Sequence, residues 1–336
     1  MATTSKISWT DSTFNPWIGC TKVSPGCANC YANEMDRKRF SKTLPGCSSA
    51  APVSHWGKGA PRYRTKTWGE PMKWEREWHG FQQVDCNGVV YRGGIKEIAE
   101  RELRVDDIVG CGPARRRVFC ASLADWLDDE VPIEWLADLL MLIHVTPHLD
   151  WLLLTKRPEN FQPRIKAVIL WLSEHESWDA ANHGWLSDWR LAAKVPANVW
   201  IGTTVENQEY AERRIPQLLV IPARVRFLSV EPMLGPVDIV SVCGDQPQSG
   251  LAITDGFGRF DGEGDPLIHW VICGGESGPG RREFRTLWAR ELADQCLVAG
   301  VPFFMKQDAH DKSGQQGNLS EELWSLKQFP AQGGAQ

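Results

Sequence analysis

At 336 residues, 42% hydrophobic and 24% charged, the chain has the size and composition of a globular protein with one large α/β domain or two small ones. A formal net charge of −5 excludes a protein that coats nucleic acid through a uniformly cationic surface, since such binding rests on counterion release. No apolar run approaches the roughly 18–20 residues of a bilayer span, and the opening MATTSKISWTDSTFNPW lacks the apolar core of a secretory signal, so a cytoplasmic chain with no membrane partner is expected.

In chain order, the segment before Cys20 reads as a first strand and is followed by a cysteine-bearing loop. Residues from about 40 to 107 are rich in Gly, Pro, Trp and charge and read as an insertion. Arg117–Ala121 is the next strand, and Ile133–Ile143 has the spacing of an amphipathic helix. Trp151–Thr155 then precedes a helix over Pro158–Leu172. A shorter insertion at 174–196 separates it from the strand Val199–Thr203 and the helix Gln208–Leu219. Val225–Ser229 and Trp270–Cys273 are two more strands, with a Gly- and Asp-rich insertion at 243–267 between them. The helix Leu287–Val298 and the run Val301–Met305 complete the alternation. Short, nearly continuous apolar strands alternating with helices imply a parallel sheet with helices outside it. The fold expected is a partial (β/α)6-type barrel, a single domain over 1–310 with inserted loops and a frayed tail over 311–336.

Polar residues gather just past the strand ends. They are Ser122 and Asp125; Thr155, Lys156 and Arg157; Thr204 and Glu206; Ser229 and Glu231; and Gly274, Gly275, Glu276 and Ser277. In β/α barrels these ends build the active site. Taken singly, each is equally well explained by helix capping or loop solvation. Basic groups at Arg37–Arg39, Arg62 with Arg64 and Lys66, Arg115–Arg117 and Arg281–Arg282 leave room for a local phosphate-binding groove.

Ten cysteines exceed what packing needs, and in a reducing compartment they point to metal binding or catalysis rather than disulfides. Seven are scattered (Cys47, Cys86, Cys111, Cys120, Cys243, Cys273 and Cys296), and Cys120 and Cys273 lie in apolar runs as small hydrophobes. Cys20, Cys27 and Cys30 form a C-x6-C-x2-C cluster, with Pro25-Gly26 folding the loop back on itself. Thiolates ligate both zinc and iron–sulfur clusters. A structural zinc site wants four ligands, which Cys47 or His55 would have to complete. Three cysteines on one loop suit a [4Fe–4S] cube with one iron left open.

These cysteines, with the blocks NPWIGCTKVSPGCANCYA, VFCASLADWLDD, LLTKRP, WIGTTVENQEYAERRIP, FLSVEPMLGP and VICGGESG, resemble the radical S-adenosylmethionine (SAM) superfamily. The similarity is to a phage-associated branch distantly related to spore photoproduct lyase. The first gap departs from the superfamily's usual C-x3-C-x2-C, and Tyr31 follows the last cysteine where an aromatic residue usually precedes it. Gly274-Gly275-Glu276 is similar to a SAM-binding motif that belongs at the second strand, where this chain has Ser122 and Asp125.

The resemblance implies a [4Fe–4S] cluster on Cys20, Cys27 and Cys30, with SAM chelated at the open iron. It implies SAM contacts from Tyr31, Ser122, Asp125, Glu206 and Glu231, and substrate contacts from Lys156, Arg157, Gly275 and Glu276. An electron donor such as flavodoxin or ferredoxin would reduce the cluster. Electron transfer to SAM would give methionine and a 5′-deoxyadenosyl radical that abstracts a hydrogen atom. The implied substrate is nucleic acid, and the sharpest expectation is a modified thymine in phage DNA. On it an N-linked glycyl group would be isomerised to a C-linked one, in the host cytoplasm, for restriction evasion. A flipped-out base would reach the radical. Lyase-type repair, tRNA modification and a zinc-stabilised nucleic-acid-binding protein are the alternatives.

Overall fold

Seven short apolar runs pair side by side in the computed structural model, which describes residues 5–79, 82–84, 90–92, 115–175, 184–244 and 267–330. They are β1 (Ser12–Phe14), β2 (Arg116–Cys120), β3 (Leu149–Thr155), β4 (Val199–Thr204), β5 (Val225–Val230), β6 (Trp270–Gly274) and β7 (Phe303–Gln307). Their order in the sheet is their order in the chain, and every pairing is parallel. The sheet curls into a half-barrel. These seven strands are the runs read from the sequence, in a partial barrel as expected, with one strand more than a (β/α)6 count.

The cysteine loop continues into α1 (Tyr31–Met35), and further helices cover the outer face. They include α2 (Glu70–His79), α3 (Ile133–His144), α4 (Phe161–Glu174), α5 (Gly184–Arg190), α6 (Gln208–Leu219), α7 (Ile239–Gly244), α8 (Thr286–Val298) and α9 (Glu321–Trp324). α6 starts where the Asn207 side chain accepts from the Tyr210 amide at 3.2 Å, satisfying a donor the helix itself cannot pair. α2 lies inside the segment read as an insertion, and it buries Trp74 in the outer core. It therefore serves as the crossover helix between β1 and β2. α5, in the second insertion, packs Trp189 into the same core. Residues 80–81, 85–89, 93–114, 176–183 and 245–266, which carry the rest of the three expected insertions, lie outside the described residues.

Period-two alternation divides the strand side chains between two cores. Val118, Cys120, Trp151, Leu153, Val199, Ile201, Leu228, Val271, Cys273, Phe303 and Met305 face the helices. Phe119, Leu152, Trp200, Phe227, Trp270, Ile272 and Phe304 face inward and, with Trp9, fill the floor of the half-barrel. Trp9 packs on Phe119 and Trp270 with ring centroids 4.6 and 6.2 Å apart. One level up, Gly202 leaves space that Phe227 takes, since a Cβ there would lie 2.4 Å from its ring. The interior thus runs from aromatic at the floor to small and polar at the strands' C-terminal ends.

The C-terminal segment departs from the expected frayed tail. Leu319 and Leu323 are buried, and Phe329 stacks near Trp270 and Phe304 at 5.3 and 5.2 Å. The Trp270 indole donates to the Gln328 carbonyl at 2.9 Å, and Phe304 forms an antiparallel bridge with Lys327. The apolar residues of this stretch are spaced to bury one side against β7, which composition alone obscures. Residues 331–336 lie outside the described residues.

Candidate functional site

The loop bearing Cys20, Cys27 and Cys30 leaves the first strand and lies over the C-terminal ends of the others. A short antiparallel pairing of Trp17–Ile18 with Tyr63–Arg64 leads into it. Gly19 then takes φ +117°, a conformation disfavoured for other residues, and a Cβ there would meet the His55 carbonyl at 2.4 Å. Pro25–Cys27 is a single 3-10 turn, so the chain doubles back between the cysteines as Pro25-Gly26 implies. Cys30 then caps α1. All three cysteines are free and partly buried.

Side chains from three strand ends hold this loop. Beyond β3, buried Arg157 donates to the Cys20 sulfur at 3.6 Å and to the Thr21 carbonyl at 2.6 Å. Its guanidinium also pairs with Asp125 at 3.0 Å. Asp125 in turn accepts from the Thr155 hydroxyl at 2.7 Å and the Lys156 amide at 2.8 Å. Beyond β4, fully buried Glu206 accepts from the Ser24 hydroxyl at 2.5 Å and pairs with Arg214 of α6 at 2.7 Å. A Cβ on Gly26 would stand 2.4 Å from Glu206 Oε1, so only glycine lets the loop approach so closely. Beyond β6, Glu276 accepts from Asn29 at 3.0 Å and pairs with Arg282, which donates to the Pro25 carbonyl at 2.9 Å.

The cysteines are chemically unequal. Burial pushes the Cys20 thiol up to about 12, against the pull of Arg157. For Cys27, burial also opposes ionisation, but the charge of Lys156 and hydrogen bonds at Val23 and Ser24 outweigh it and lower the pKa. Tyr31 beside Cys30 has an exposed ring, yet its hydroxyl reaches the Ser122 carbonyl, and desolvation raises its pKa. The Ser122 hydroxyl itself is bound to Asn15.

The remaining expected site residues divide by position. Lys156 reaches across to the Thr204 hydroxyl at 3.1 Å. Glu231 is paired with Lys306 of β7. Gly275 is packed against the backbone after β7, with a Cβ there 2.5 Å from the Ala309 amide nitrogen, so no ligand approaches that side of it. Arg157, Glu206 and Glu276, expected as ligand contacts, are all committed to the cysteine loop. Arg282, read as part of a basic group, serves the loop instead, and three participants escape sequence reasoning: Asn29, Arg214 and Lys306. Lys306 alone carries a signal, a lone charge inside the apolar strand FFMKQ.

Most of the basic groups have acidic partners. Arg62 is buried against Asp128, Arg115 pairs with Asp150, Arg116 with Glu77, Arg117 with Asp11, and Arg281 with Asp311. His55 is committed to Asp36 at 2.7 Å.

Among the described residues no group of three or more His, Cys, Asp or Glu side chains is placed to hold a metal ion. A zinc site would need its sulfurs about 2.3 Å from one point. A cube binds each cysteine at a different iron, so its thiolates stand apart. The donor set fits the cube in its chemistry: three thiols on one loop, with Arg157 in contact with Cys20 and the charge of Lys156 favouring the Cys27 thiolate.

Glu276 makes the loop's anchorage pH-dependent. Burial raises its pKa, but the hydrogen bonds from Arg282 and Asn29 prevail and hold it below the usual 4.5. A depressed carboxyl stabilises the fold above its unfolded pKa and loses that contribution as pH falls through the folded value. The thermal midpoint should therefore fall more steeply below about pH 4.5 in the native chain than in E276Q. Parallel pH profiles for the two would assign the loss elsewhere.

No curated protein and no solved structure matches this chain. A family model described as "Protein of unknown function (DUF5131)" matches residues 4–324. That match spans the half-barrel, the cysteine loop and the docked segment through α9, and the chain therefore belongs to the DUF5131 family.

Proposed function

We propose that this chain is a radical SAM enzyme whose Cys20, Cys27 and Cys30 hold a [4Fe–4S] cluster. The reading extends to a modified thymine in phage DNA as substrate, with an N-linked glycyl group isomerised to a C-linked one. The observation that carries the cofactor reading is positional. A three-cysteine loop lies over the C-terminal ends of a parallel half-barrel, where β/α folds place their chemistry. The substrate reading rests on the resemblance of the sequence blocks to the phage-associated branch.

When bound, the cluster and SAM supply a 5′-deoxyadenosyl radical able to take hydrogen from an unactivated C–H bond. The protein's own contribution is binding, orientation and exclusion of water. Arg157, Glu206 and Glu276 position the loop, and the aromatic floor of Trp9, Trp200, Phe227 and Trp270 closes the interior from below. Above that floor the small polar residues Thr204 and Ser229 line the interior.

Anaerobic purification tests the cofactor reading. A brown protein with about four irons per chain that cleaves SAM under reductant supports it. A colourless protein carrying one zinc overturns it and favours a zinc-stabilised nucleic-acid-binding protein. For the substrate, modified phage DNA is incubated with enzyme, digested to nucleosides and separated. The expected product is an isomer of unchanged mass. A loss of mass points instead to a lyase-type reaction, and unchanged retention overturns the isomerase reading.

A further inference from the structure

Lys306 and Glu231 form an ion pair that the anchorage of the cysteine loop does not use. Lys306 shares its strand face with Phe304, two residues earlier, and Glu231 continues the register of Phe227 and Ser229. Both therefore sit at the inner face of the half-barrel, one level above the aromatic floor. Between their strands runs β6, which offers only Gly274 at this level. A Cβ there would be in van der Waals contact with Gln307 Cγ at 3.4 Å and with Lys306 Cβ at 3.5 Å, and as a glycine it places no side chain between the two charges. Side-chain exposures of 16% and 17% leave the charges mostly desolvated but still reachable from the mouth. Both lie at the C-terminal end of the sheet, the end over which the cysteine loop is held.

Packing does not require such a pair. Apolar residues of equal volume in place of a buried ion pair are often neutral or stabilising. The layer beneath already shows that this interior accepts Phe, Trp and Ile. What opposite charges offer here is exchange of partners. A ligand bearing both an ammonium and a carboxylate can enter between them, each side chain trading its mate for the ligand's opposite charge. No net charge is added to the interior, and no ion is left unpaired.

We infer that the Lys306–Glu231 pair is the receptor for a zwitterionic α-amino-acid group, Lys306 taking the carboxylate and Glu231 the ammonium. This rests on the enzyme reading above and deepens it. In that reading the amino-acid end of SAM belongs to the open iron, which leaves the glycyl group on the modified base as the ligand of this chemistry. It is zwitterionic at neutral pH.

The test measures binding to the full reconstituted chain by calorimetry, with S-adenosylhomocysteine and the glycine-bearing thymidine nucleoside as probes. 5′-Deoxyadenosine and thymidine, which lack the amino-acid group, are the controls. In K306M the glycine-bearing nucleoside should bind about 10- to 100-fold more weakly, while thymidine and S-adenosylhomocysteine change little. Weakening confined to S-adenosylhomocysteine would overturn the inference. Should K306M fold poorly, the double variant E231Q/K306M, which leaves no unpaired charge, carries the same comparison. Affinities for both zwitterions within about twofold of the native chain's would make the pair a packing feature and overturn the inference. So would a native chain that binds neither. Iron content is measured alongside. A chain without a cluster whose zwitterion binding still collapses in K306M would sink the cofactor reading and leave the receptor standing.

Discussion

Replacing Arg157 by glutamine should destabilise the fold by about 3–5 kcal/mol, read as a lower denaturation midpoint, because Asp125 is then left as a buried charge without its cation. Arg157 is only 5% exposed in its side chain, so solvent cannot take over. Burial opposes its charge, but Asp125 and Asp128 together hold it protonated, which makes the guanidinium a fixed cation over the working pH range. Removing both members of the pair, as in D125N/R157M, should recover most of the stability. It should not recover the bonds to Cys20 and Thr21, so iron retention after anaerobic desalting should stay low in both variants. Equal iron retention in R157Q and the native chain would limit Arg157 to a purely structural role.

Glu206→Ala is expected to cost a similar 3–5 kcal/mol, here because Arg214, 3% exposed, loses its counterion inside α6. Its second effect is local. With the carboxylate gone, Ser24 loses its acceptor, and the turn between Cys20 and Cys27 loses its support. Gly26→Ala approaches the same contact from the other side, with a Cβ 2.4 Å from Oε1 of Glu206. Overpacking of this kind typically costs about 1–3 kcal/mol. The two variants should lose iron in parallel, and combining them should relieve the clash, so that G26A adds little in the E206A background. Strict additivity of their denaturation midpoints would mean that the two residues do not act through one contact.

How much of this was legible in the sequence follows from where each signal lies. Parallel strands covered on both faces must be nearly continuous in apolar residues, so Leu149–Thr155 and Val199–Thr204 announce themselves, and their order gives the alternating fold. The loop of Cys20, Cys27 and Cys30 was legible because thiol spacing is local. The roles of Arg157, Glu206 and Glu276 were not. Each sits at a strand end, as expected, but its partner lies far away along the chain, at Cys20, Ser24 and Asn29 respectively. A charged side chain beside a candidate pocket reads the same whether it serves a ligand or the loop over the pocket. Only the fold distinguishes the two. Lys306 was overlooked for a related reason: its mate lies two strands away across a glycine.

The docked C-terminal segment bears on how the molecule is made. A sheet with two unpaired edges cannot seal itself, and here Phe329 reaches Trp270 and Phe304 while the Arg117 guanidinium lies 3.9 Å over its ring. One aromatic side chain thus ties the second, sixth and seventh strands together across the open seam. During synthesis β1 to β7 emerge before Phe329 does, so until the segment that carries it is released the nascent chain must hold an unprotected β7 edge and an unstoppered aromatic interior. Its exposure to aggregation is greatest in that interval, when the whole sheet has already been made.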